Sequence, residues 1–63
     1  MKMRFIGETD ENFTNNCIYE IIEISYKESY WFSAYIINDS NKVRHIPYSS
    51  INTFLHNWEV VDE

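Results

Sequence analysis

Two histidines and one cysteine are the only side chains in this sequence with ready chemistry near neutral pH. His45 and His56 are the natural general bases. Cys17 would become a nucleophile if one of them reached it. No catalytic spacing links the three, and the expected arrangement is a small buried Cys17 with both histidines on the surface. Metal chemistry has as little support. The eleven-residue step from His45 to His56 matches no zinc spacing, and one cysteine cannot complete a site. Glu8, Asp10 and Asn12 alternate like the start of a calcium loop. The central glycine and terminal glutamate of such a loop are missing, so a solvated acidic loop is expected there. These residues imply a non-enzymatic chain with no cofactor.

Charge excludes more. Five Lys and Arg stand against ten Asp and Glu, for a net charge of −5. That is the wrong sign for phosphate. A nucleic-acid-associated role, as a weak binder or an acidic mimic, is therefore the second reading. Lys2 and Arg4 are expected to pair with Glu59 and Asp62 across neighbouring strands. The aromatic set is the stronger lead. Phe13, Tyr30, Trp31, Tyr35, Tyr48 and Trp58 are too many for the core of a 63-residue chain, so some should form an exposed surface.

The elements that must position these residues follow from residue type and period. Nine Ile, three Val and eleven aromatics against one Leu and one Ala favour pleated strands over helices. Strands are expected over Lys2–Gly7, Cys17–Ser25, Tyr30–Asn38, Lys42–Ile46 (stopped by Pro47) and Trp58–Val61. In the second, Ile18, Ile22 and Ile24 are assigned to one face and Tyr19 and Ile21 to the other. A strand apolar on both faces is central or strongly bent. Glu8–Asn16 reads as a long loop, Tyr26–Ser29 as a turn, and Asn38–Asn41 as the clearest turn. Tyr48, Ile51, Phe54, Leu55 and Trp58 fall at helical spacing, with Ser49 or Ser50 able to cap a short α or 3₁₀ helix. One domain spanning residues 1–63 accounts for the whole chain. No apolar run reaches 18 residues, no secretory signal opens the chain, and a single Cys forms no internal disulfide, so a cytoplasmic setting without a membrane is expected.

Trp31-Phe32-Ser33-Ala34 resembles the start of the third strand of SH3 domains. Ile46-Pro47-Tyr48-Ser49-Ser50-Ile51 is similar to the Ile-Pro stretch that opens their helical turn, and Glu8–Glu11 lies where their acidic loop would be. The first strand lacks their tyrosine-bearing motif, Ser50 stands at the place of their helical-turn tyrosine, and Asn52–Trp58 enlarges that turn. The chain is more similar to small bacterial and phage proteins carrying Ile6-Gly7-Glu8-Thr9, Thr14-Asn15 and Tyr19-Glu20-Ile21-Ile22. The resemblance implies a mostly β, five-stranded SH3-like barrel with a short helix before the last strand, and no known activity. By the same resemblance Trp31 and Pro47 occupy two positions of a ligand groove, with Phe13 or Tyr48 beside them. The expectation is an interaction module, monomeric or homodimeric. It would bind a protein or peptide through an exposed patch of Trp31, Pro47, Tyr48 and Phe13. Glu8, Asp10 and Glu11 next to that patch would favour a basic partner segment.

Overall fold

The computed structural model describes residues 1–27 and 31–61, the Trp31 side chain excepted. Five antiparallel strands, β1 (Lys2–Phe5), β2 (Ile18–Lys27), β3 (Trp31–Ile37), β4 (Val43–Tyr48) and β5 (Trp58–Val60), form one sheet in the order β4-β3-β2-β1-β5. A short helix, α1 (Ile51–Leu55), precedes β5. Among the described residues β4 and β5 are the terminal strands and no pairing joins them, so the sheet is open. Among the described residues no helix is long and apolar enough to cross a membrane.

Period-two alternation builds β1: Met3 and Phe5 are buried, while Lys2 and Arg4 face outward. Arg4 lies opposite Glu59 and its Nε is 3.2 Å from Oε1, the ion pair expected between the first and last strands. Such an exposed pair contributes only ~0.2–1 kcal/mol. Lys2 lies opposite Glu20 instead, and Asp62 is outside the described residues.

β2 is shared between the two halves of the sheet. Ile18–Glu20 pairs with β1, and Ile21–Lys27 pairs with β3. A register shift between Ile21 and Glu23 separates the halves. One extra residue in a strand reverses the parity of everything after it. Ile24 therefore packs against the core with Tyr19 and Ile21, while Ile18 and Ile22 stay exposed. This corrects the face assignment made from strict alternation. β2 also runs on through Tyr26 and Lys27, where a turn was expected; Glu28 and Ser29 lie outside the described residues.

β4 continues through Pro47 to Tyr48. Proline removes one ladder donor, which a terminal strand tolerates on its unpaired side. The β3–β4 turn is set by Asn38 and Asn41. Asn38 Oδ1 accepts from the backbone N–H groups of Ser40 and Lys42, both at 3.0 Å. Asn41 adopts φ 61°, a left-handed conformation that asparagine tolerates.

Ser50 caps α1, its Oγ accepting from the Thr53 N–H at 3.2 Å. The helix drops Phe54 into the core, with ring centroids 4.6 Å from Phe32 and 5.2 Å from Tyr48. Trp58, 1% exposed, occupies the centre. Its ring lies 5.0 Å from Phe5, 5.1 Å from Phe13, 5.8 Å from Tyr19 and 6.2 Å from Phe54. Gly7, the one glycine, is required by close approach: a Cβ there would collide with Asn57 Oδ1 and lie 2.9 Å from Phe5 Cζ. The Phe5 ring is buried and cannot swing away. Gly7→Ala is expected to cost about 1–2 kcal/mol through overpacking, read as a lowered urea midpoint at unchanged slope.

Candidate functional site

The Glu8–Asn16 segment is a fixed structure. Asp10 Oδ1 accepts from the backbone N–H groups of Asn12 and Phe13, both at 2.8 Å, and closes a tight turn. Thr9 Oγ1 accepts from the Asn15 N–H, and Asn15 Nδ2 donates to the Gly7 carbonyl. Asn16 then takes φ 75° and returns the chain to β2, its N–H donating to the Phe5 carbonyl.

The loop is also tied to the distant β3–β4 turn. Asp39 Oδ1 accepts from the Tyr19 hydroxyl at 2.6 Å, and Oδ2 accepts from Thr14 Oγ1 at 2.8 Å. The Thr14 N–H donates to Tyr19 Oη at 2.7 Å. The Asp39 N–H donates to the Asn12 carbonyl, and Asn38 Nδ2 donates to Asn12 Oδ1. Burial raises the Tyr19 phenol above the usual tyrosine value. Donation to Asp39 raises it further, against the opposing effect of the Thr14 N–H. The hydroxyl thus stays protonated at neutral pH, donating to Asp39 of the turn while it accepts from the Thr14 N–H of the loop.

Between this loop and β4 lies a cavity of about 560 Å³. Glu8, Asp10 and Phe13 line it from the loop, and Ile46 and Tyr48 line it from β4. Tyr48 Oη accepts from Trp58 Nε1 at 2.9 Å, and its own hydrogen has no partner among the described residues. Burial pushes the Tyr48 phenol up; the Trp58 hydrogen bond opposes this, and the Asp10 carboxylate adds to the rise. The cavity therefore holds a protonated tyrosine hydroxyl in the field of a carboxylate.

The acids lining the cavity lack counter-charges. All five Lys and Arg lie among the described residues, and none forms an ion pair with Glu8, Asp10 or Glu11. The second oxygen of Asp10 accepts no hydrogen bond among the described residues. The cleft thus combines apolar and aromatic surface, a hydroxyl donor and unneutralised carboxylates. It has no His or Cys among its lining residues. Such a surface can hold a cationic side chain by its charge and the flanking chain by aromatic contact.

Of the expected site residues, Glu8, Asp10, Phe13 and Tyr48 converge on this cleft. Phe13 does so from below. It is 3% exposed, edge-on to Trp58 and Tyr19, so its assignment to an exposed patch is corrected: the Asp10 turn folds it inward to complete the aromatic core. Pro47 is exposed but separated from Tyr48. Tyr48 and Ile46 lie opposite Phe32 and Ala34 on the core face, while Pro47, opposite Ser33, falls on the other face of the strand. Glu11 is exposed on the loop outside the lining. Tyr30 and the Trp31 side chain lie outside the described residues. Ile46 was missed, although its two-residue step from Tyr48 would have placed it on the same face of a longer β4.

Cys17 is exposed, contrary to the expected burial, because it precedes β2 at the loop exit. His45 stacks on Tyr35 across β4 and β3 at 4.5 Å, and His56 caps the C-terminus of α1. Among the described residues no three His, Cys, Asp or Glu side chains form a metal-binding group. Comparison with protein-family models, curated proteins and solved structures gives no match to this chain.

Proposed function

We propose that this chain is a non-enzymatic interaction module of the SH3-like barrel type, working in the cytoplasm. Its acidic-aromatic cleft takes a basic, extended segment of a partner protein. The barrel reading draws support from the strand order, the sharing of β2 between two halves of the sheet, the long β1–β2 loop and the helix before β5. The functional reading rests on one observation. The cleft gathers Glu8 and Asp10, neither paired with a cation, beside the protonated hydroxyl of Tyr48. The carboxylates select positive charge, and the aromatic and apolar lining supplies contact area. A nucleic-acid backbone would be repelled at this face.

Selection from a random peptide display library tests the reading. Peptides enriched on the protein are expected to carry Lys or Arg next to an aromatic or aliphatic residue. Their binding should weaken several-fold between low and high salt, because exposed charge pairs are screened. Enrichment of peptides without basic residues, or preferential retention of nucleic acid, would overturn it.

A further inference from the structure

A second concavity, of about 290 Å³, shares no described lining residue with the cleft. Phe32, Phe54 and Met3 form its buried base. Met1, Tyr26, Ile51, Leu55 and Val60 surround it, each 45–71% exposed. These are five of the nine large apolar side chains exposed among the described residues, gathered on one face. Ile51 and Leu55 sit one helical turn apart on α1 and turn away from the core that Phe54 enters. Among the described residues the lining carries no side-chain charge, and the Met1 ammonium is engaged by Glu20 Oε2 at 2.7 Å.

We infer that this groove is a two-fold homodimer interface, occupied by a second copy of the chain. The area supports that occupant. The five rim residues present on the order of 500 Å² of mostly apolar surface, near the upper end for the largest patch on a monomer. A standard two-fold interface takes about 800 Å² from each partner, roughly two thirds of it apolar in homodimers, which is about the same 500 Å². Charge supports it as well. Two copies carrying −5 each repel one another, and contact through a face whose described lining has no side-chain charge adds the least to that repulsion. A two-fold contact buries the same patch on both copies, so the most exposed rim side chain, Tyr26 at 71%, would meet the partner's groove. The acidic cleft, with none of its lining in the contact, stays open on each copy.

Sedimentation of the full chain from micromolar to millimolar concentration tests this. The expected result is a mass rising from 7.7 kDa toward twice that value, and association that tightens with added salt as the repulsion is screened. Leu55→Glu and Tyr26→Lys, each checked for folding by circular dichroism, should each weaken association by about tenfold or more. Ile22→Lys, at an exposed position outside the groove, should leave it unchanged. A chain that remains monomeric at millimolar concentration overturns the inference and leaves the groove to a different partner. So does a dimer that survives both groove substitutions, or one that dissociates with added salt.

Discussion

Trp58→Ala is expected to leave the chain unfolded at room temperature. The indole is the meeting point of four aromatic rings contributed by β1, the 8–16 loop, β2 and α1. Its Nε1–H also donates to Tyr48 Oη, joining the core to the cleft. Truncating a buried tryptophan costs about 3–5 kcal/mol, from lost transfer energy and the cavity left behind. A single core below about 70–80 residues rarely supplies more than about 3–5 kcal/mol in total. The loss thus equals the whole stability, and neither a disulfide nor, among the described residues, a second core compensates. Trp58→Phe keeps most of the ring contacts and gives up the hydrogen bond. Tyr48 Oη then loses only an acceptor role, which water at the cleft can replace. That variant should fold with a melting temperature several degrees lower. Circular dichroism with thermal and urea denaturation checks both. A cooperatively folded Trp58→Ala protein would mean that the ring cluster is less central than its geometry implies.

Glu8→Gln combined with Asp10→Asn is expected to lower affinity for a selected basic peptide by about ten- to a hundredfold, ~1.4–2.8 kcal/mol, with little change in stability. The substitutions separate charge from architecture. Asp10 uses Oδ1 to accept from two backbone N–H groups, and the amide oxygen left by Asp10→Asn can accept both. Glu8 makes no hydrogen bond or ion pair among the described residues. Asp10→Ala, in contrast, would strand those two N–H groups and let Phe13 shift, confounding loop and charge. Isothermal titration at low salt, beside urea denaturation, reads both quantities. Unchanged affinity would make the carboxylates bystanders.

Residue type made much of this fold legible. The Met3/Phe5 alternation, the Asn38–Asn41 turn and the helical spacing after Pro47 each reflect a local rule, and each holds in the structure. What failed was non-local. The extra residue in β2 leaves no mark in CIYEIIEIS, yet it decides that Ile24 rather than Ile22 reaches the core. Pro47 reads as a stop because local propensity cannot show that its strand is terminal. The site was half legible. Acidic residues in a long loop and an aromatic after Ile-Pro pointed to Glu8, Asp10 and Tyr48. That Phe13 is core depended on an aspartate turn and on three rings from elsewhere in the chain. The brace of Tyr19, Thr14 and Asp39 joins residues 20 and 25 positions apart, a separation at which residue types carry no signal.

A basic segment bound in the cleft between the loop and β4 would perturb the residues that line it. Amide chemical-shift mapping of the full chain during titration with a library-selected basic peptide tests it most directly. Saturable shifts are expected at Glu8 to Phe13, at Ile46, Tyr48 and Asn57, and at the Trp58 indole N–H, which reports on Tyr48 Oη. Shifts confined to the Tyr35–His45 face or to the groove around Ile51 and Leu55, with Glu8–Phe13 and Tyr48 unmoved, would contradict it.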